Sequence, residues 1–439
     1  MSIEIISIIL FVVLIGCMLM GVPIAFALGA IGVIFGLVFW GWDGLFILAG
    51  NVISYERTII FVALPLFIFM GLMLERSGIA DKLYDTIYKL FAGVRGGLAI
   101  GTVIICTLFA AMAGLSGPAA VTMGIIALPS MLKRKYTPQL AIGSIMGGAA
   151  LGPLIPPSAT LILYGFLAQE SIGRLYAGGI LPGLILAALM IIFILIACWI
   201  KPNWGPAIPV EERPSLKVKV MSLGNLILPM ILIFAVLGSI FSGFATPTEA
   251  AAIGALGAIL LAASQRSLTW QIIKDVSIRC IKVSCMVMWI VIGASVFTTI
   301  YTAMGAEDIV HHLLANMNIT PIGFIIMTQV VYLILGALLD PTAILMIAMP
   351  LFVPIVKEFG FDTVWYGVLF VVNMELSYLT PPVGFNLFYM RGVAPDHIKT
   401  TTIYKAAIPF LIIQAIGVIM CVAWPEIIMV LPDLIFGGR

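Results

Sequence analysis

The sequence predicts an all-α polytopic membrane protein made of two inverted-topology repeats, and three observations carry that prediction. First, 62% of the 439 residues are hydrophobic and only 10% charged, with a mean hydropathy of +1.20. A soluble chain is nearer half apolar and a quarter charged. Second, a Gly/Pro-interrupted apolar pattern occurs twice. One copy reads Gly114-Leu115-Ser116-Gly117-Pro118, then Pro129, then Leu154-Ile155-Pro156-Pro157-Ser158. The other reads Gly336-Ala337-Leu338-Leu339-Asp340-Pro341-Thr342, then Pro354, then Leu379-Thr380-Pro381-Pro382-Val383, and in both the two prolines stand 27 residues apart. Third, the basic residues are distributed unevenly between alternate loops.

Each element follows in order. A span needs about 20 apolar residues, and candidates fall at 4–20, 22–42 and 58–75. The N-terminus has no basic n-region, so its apolar run reads as a retained first span. An amphipathic arm at 76–94 precedes the segment 97–135. That segment holds two apolar halves too short for a full crossing, joined by a Gly/Pro tip, and it reads as a re-entrant hairpin. A broken helix at 138–169 follows, then a span at 172–200. The hydrophilic linker 202–223 separates the repeats. Spans at 224–243, 246–264 and 283–303 lead to a second arm at 305–318, a second re-entrant hairpin at 320–357, a broken helix at 363–390 and a last span at 403–423.

Charge tests this layout through the positive-inside rule. With the N-terminus outside and both hairpins re-entrant, the inner segments are 76–96, 133–137, 201–223, 265–282 and 391–405. They hold 18 of the 22 Lys and Arg. Reading either hairpin as an ordinary span inverts every later loop and destroys the bias. The first hairpin therefore opens inward and the second outward, the inverted arrangement that gives alternating access around one central site.

The breaks carry the chemistry. Backbone at membrane depth must be buried or line a wet cavity. A helix ending at a hairpin tip offers carbonyls to a cation, and one beginning there offers N–H groups to an anion. Asp340, a carboxylate at membrane depth, is expected to be functional, with an N-cap as the plainer alternative. Glu375 is expected to be a structural or ion-site acid. Thr246-Pro247-Thr248-Glu249 reads as a capping box. The three histidines (His311, His312, His397) read as solvated, and the scattered cysteines as core residues. No Gly-Lys dipeptide occurs, which excludes a Walker A loop. There is no metal-spaced cluster, nucleophile–base motif or cofactor loop to suggest an enzyme, and no basic run to suggest a nucleic-acid partner.

These motifs, together with Ala245-Thr-Pro-Thr-Glu-Ala-Ala and Leu379-Thr-Pro-Pro-Val-Gly-Phe-Asn-Leu, resemble the large membrane subunit of tripartite ATP-independent periplasmic (TRAP) transporters over nearly the whole chain. Pro118 departs from the serine that many members carry there. The resemblance implies a multi-pass protein of the bacterial inner membrane with a periplasmic N-terminus. Its partners would be a small membrane subunit and a periplasmic solute-binding protein, and it would import a small organic acid with sodium by an elevator movement. The moving part would be 97–169 and 320–393. The scaffold would be 1–96 with its arm, 170–319, and the C-terminal helix within 394–439. Sodium ligands would be Gly114, Ser116, Gly152 and Pro156 at one site and Leu338, Asp340, Leu379 and Thr380 at the other, mostly through carbonyls. Ser116, Gly117, Ser158 and Asn386 would contact the acid. The alternative function is a stand-alone sodium- or proton-coupled carboxylate or anion carrier of related fold that needs no binding protein.

Overall fold

The structure, a computed structural model, describes residues 3–305, 319–382 and 384–437, and they form helices and turns only. In order these are α1 (Ile3–Leu19), α2 (Ile24–Glu56), a 3-10 turn (Ile59–Val62), α3 (Ala63–Arg76), α4 (Ile79–Phe91), α5 (Gly97–Ala113), α6 (Ser116–Lys133), α7 (Pro138–Ala150), α8 (Ala159–Ala168) and α9 (Ile172–Ile200). After two short 3-10 turns come α10 (Leu216–Ser222), α11 (Gly224–Phe241), α12 (Pro247–Ser264) and α13 (Trp270–Ala303). The second copy follows as α14 (Pro321–Gly336), α15 (Pro341–Glu358), α16 (Thr363–Tyr378) and α17 (Phe385–Val393), and the chain closes with α18 (Thr400–Ala423) and α19 (Glu426–Phe436). Among the described residues, eight helical stretches are long and apolar enough to cross a membrane. Outward-facing Trp199 (78% exposed) and Phe234 (67%) are the side chains that a lipid-facing surface presents and a soluble one hides.

Both expected breaks are present. The first lies between α7 and α8 and the second between α16 and α17, and each contains a cis Pro-Pro bond, Pro156–Pro157 and Pro381–Pro382. Both expected hairpins are pairs of short helices. Helices α5 and α6 have 17 and 18 residues, and α14 and α15 have 16 and 18; of these four, α15 is among the eight stretches long and apolar enough to cross. The amphipathic arm at 76–94 is α4. The second arm at 305–318, with His311 and His312, lies outside the described residues after Gly305.

Three boundaries differ from the sequence reading. The helix expected from 283 begins at Trp270 and runs 34 residues, so the loop expected at 265–282 is short and Arg279 and Lys282 stand on helix. Thr269 starts it early by accepting a hydrogen bond from the Ile272 N–H (3.2 Å), an N-cap that satisfies one of the free first-turn donors. The span expected at 22–42 stops at Gly41, whose φ of 58° and ψ of −144° suit glycine alone. The chain then folds back as a second helical stretch that reaches Glu56, with Leu48 packed near Gly36 and Asn51 donating to the Thr299 hydroxyl (3.1 Å). Finally, α19 is a separate helix, bound to α9 through Arg174 and Asp433 (3.4 Å) and to α11 through Phe436 and Phe241.

Two packing groups emerge. Helices α2, α3, α11, α12 and α13 pack on one another, and α5 through α8 pack with α14 through α17. The sequence division places α9 and α18 with the scaffold. In the structure α18 lies along α7 and α16, and α9 along α5, α16 and α19. Small residues allow this. Gly143 and Gly147 of α7 face Phe410 of α18, and Gly179 of α9 meets the Leu154 carbonyl in the first break, the close approach that small residues give membrane helices. The linker 202–223 folds over the ends of this group, where Gly96 N–H donates to Gly205 O (2.8 Å) and Thr137 N–H to Trp204 O (3.0 Å).

Candidate functional site

The first tip is set by backbone. Gly114 ends α5 in the left-handed region (φ 63°, ψ 13°), and a Cβ there would run into the Pro157 carbonyl. Gly152 answers from the break: its Cβ would lie 2.7 Å from the Leu115 carbonyl carbon and 2.8 Å from Ser116 N. Only hydrogen fits at both places, so tip and break interlock. Helix α6 begins at Ser116, and Pro118 sits in its first turn, where the missing N–H is no loss. Ser116 does not cap this helix. Its Oγ donates instead to Asn386 Oδ1 on α17 (2.9 Å), while Asn386 Nδ2 donates to the Met146 carbonyl (3.0 Å). One amide therefore joins the second copy to the tip and the broken helix of the first.

The second tip is built differently. Asp340 is the N-cap of α15, its Oδ1 accepting from Thr342 N–H (2.8 Å), with Pro341 at the first helical position. Gly336, at the end of α14, packs on Ser377, where an added Cβ would lie 2.5 Å from Oγ. In the break, Thr380 Oγ1 donates to Leu376 O (2.9 Å), and Gly384 (φ 44°) brings the Tyr378 and Thr380 carbonyls to one side. Leu338 is half exposed at the tip and Leu379 fully buried.

Both copies meet at one cavity of about 870 Å³, within the range of small-molecule sites. One wall is the two tips and breaks: Ser116, Gly117, Pro153, Thr160, Asp340, Thr342, Tyr378 and Tyr389. The opposite wall is apolar and comes from α2, α3 and α13, with Glu75, Arg279 and Lys282 among it. Of the residues expected to touch substrate, Ser116 and Gly117 face this space. Tyr389 closes over Gly117, and Asn386 is buried one layer behind Ser116. Ser158 is fully buried and caps α8, accepting from Leu161 N–H (3.1 Å) and donating to the Pro153 carbonyl. Of the expected sodium ligands, Gly114, Ser116 and Gly152 lie where tip meets break, Pro156 adjoins Pro157 in that break, and Asp340 reaches the cavity. Glu375 is fully buried away from it, beside Gln414. Glu249 is in the expected capping box, bonded to both the N–H and hydroxyl of Thr246 (2.8 Å each).

Sequence reading missed Arg279 and Lys282 as wall residues. It counted them as loop charge, and the helical start at Thr269 was the only local signal to the contrary. The chemistry is polarised. The α6 N-terminus, with its positive dipole end, and the two cations suit an anion, whereas Glu75, a neighbour of Arg279, and Asp340 supply negative charge to the same space.

Residues 11–427 match the family model described as tripartite ATP-independent periplasmic transporter, DctM component. The chain belongs to the DctM family. It is 32% identical over 373 residues to the C4-dicarboxylate TRAP transporter large permease protein DctM of Pseudomonas aeruginosa, covering 85% of this chain and 86% of that one. To the protein of the same name in Vibrio cholerae it is 30% identical, with 98% of each chain covered. The fold resembles the Alcanivorax borkumensis YdaH transporter, with a TM-score of 0.63 at 14% identity over 88% of this chain and 89% of that one. As a DctM-family member the chain is a multi-pass large permease subunit of a TRAP transporter, and the resemblance carried by its motifs is family membership.

Proposed function

We propose that this subunit imports a small organic acid together with sodium, receiving the acid from a periplasmic binding protein in a complex with a small membrane subunit. It sits in the inner membrane with its N-terminus in the periplasm. The observation that carries the reading is the convergence of both tips and both breaks on one cavity that also holds Arg279, Lys282 and Asp340. The hairpins are re-entrant, and sodium binds at the two tip-and-break junctions. Ser116 and Gly117 meet the carboxylate, Asn386 fixes Ser116, and Ser158 acts through the shape of its break.

The movement is an elevator. The sliding body includes α5 through α8 and α14 through α17, and close packing adds α9 and α18 to it. The relatives' printed names supply C4-dicarboxylates as one substrate class, and the two wall cations fit a cargo of that charge.

Uptake into proteoliposomes holding this chain and its small subunit, with the cognate binding protein outside, tests the reading. A sodium gradient is expected to drive concentrative uptake, which falls at least tenfold in the Arg279→Gln/Lys282→Gln double variant. That factor corresponds to about 1.4 kcal/mol of lost anion attraction. Full uptake without a binding protein would point instead to a stand-alone carrier, and dissipation without concentration to a channel.

A further inference from the structure

The geometry points to Glu375 as a fixed proton site: a neutral carboxylic acid paired with Gln414, which joins α16 to α18 and takes no part in ion coupling. Glu375 and Gln414 are both fully buried. Their helices pack on each other and the two side chains are neighbours, yet among the described residues both carboxyl oxygens and both amide heavy atoms have no hydrogen-bond partner. Four complementary atoms from two neighbouring side chains are the set that a cyclic acid–amide pair uses. The acid O–H donates to the amide carbonyl, and the amide N–H donates to the acid carbonyl. An ionised carboxylate is acceptor-only. It could take one bond from the amide N–H but would set its charge against the amide oxygen.

Among the described residues no Lys, Arg or His pairs with Glu375, and the titratable neighbours, Tyr378 on the same helix and Cys421 on α18, are not cations. A buried charge without a partner is strongly disfavoured. A hard cation gathers about six oxygens, and this pair supplies three. A proton needs only the two atoms it bridges.

Two residues earlier, Asn373 points to the opposite side of α16. There its Nδ2 donates to the backbone carbonyl (2.8 Å) and Oε1 (2.9 Å) of Gln329 on α14. Helix α16 is thus held to α14 on one side and to α18 on the other, which makes the three one body. The consequence for coupling rests on the sodium-driven reading, but the protonation state does not.

Infrared difference spectra of the full chain in lipid nanodiscs test the assignment. The wild type is expected to show the carbonyl stretch of a protonated carboxyl group that Glu375→Gln lacks, unchanged by sodium. Gln414→Leu should shift that band upward as its hydrogen bond is lost. Glu375→Gln should unfold at the wild-type temperature and Glu375→Leu at a lower one. Should Glu375→Gln fail to fold, the swap Glu375→Gln/Gln414→Glu should fold and show a protonated band. A carboxylate signature from Glu375, or a band that vanishes when sodium is added, would overturn the proposal. None of these readings requires transport, so failure here is distinct from failure of the uptake experiment.

Discussion

At the residue scale, Asp340 has two duties that substitution can separate. It caps α15, and it brings a carboxylate to the cavity. Asparagine caps a helix about as well as aspartate, so Asp340→Asn should leave thermal stability near wild type. If Asp340 ligates sodium, loss of a charged ligand worth about 1.5–3 kcal/mol should raise the sodium concentration for half-maximal uptake by about ten-fold or more. A sodium titration of uptake checks it, and an unchanged midpoint at normal expression removes Asp340 from the ion site. Asp340 was legible in the sequence because a carboxylate at membrane depth is conspicuous. Arg279 and Lys282 were not, because the same two cations read equally well as loop charge. Which of the two they are depends on where α13 starts.

At the scale of elements, the interlock of tip and break in the first copy is a tightly constrained contact. Gly152→Ala would place its Cβ within 2.7–2.9 Å of the Leu115 and Ser116 backbone, and backbone cannot step aside as a flexible side chain can. Overpacking of this kind destabilises by about 1–3 kcal/mol. The variant should therefore melt at lower temperature in detergent and lose most of its uptake as the tip lifts from the break. Wild-type melting and uptake together would show that tip and break are not seated on each other. The breaks themselves were legible from Pro156-Pro157 and Pro381-Pro382, since proline removes donors and restricts the residue before it. The role of Ser158 was not. A hydroxyl beside Pro-Pro can equally face a ligand or cap the next helix, and here the Leu161 N–H lies within its reach.

At the scale of the whole molecule, a polar contact ties the packing group of hairpins and broken helices to the other group. Thr298 of α13 donates its hydroxyl to the Met346 carbonyl of α15 (2.9 Å). A disulfide formed in the Thr298→Cys/Met346→Cys double variant should arrest an elevator, so uptake should be lost on oxidation and return with reductant. Full uptake with the bridge demonstrably formed would exclude sliding at this contact. What the sequence by itself determined is the membrane class and the doubled Gly/Pro-interrupted pattern with its two breaks. Hydropathy, proline and charge act locally or add along the chain, so one dimension suffices to read them. What only the tertiary structure decided is which helices pack together and which side chains face the cavity. Helices α9 and α18 look like any other apolar span, and their neighbours follow from glycine stripes that become contacts only when Phe410 or Leu154 arrives from elsewhere in the chain. The cavity wall is likewise shared by segments more than 200 residues apart, the first tip with Asp340, and Asn386 holds Ser116 from behind that wall; burial at that distance is a property of the fold rather than of any local pattern.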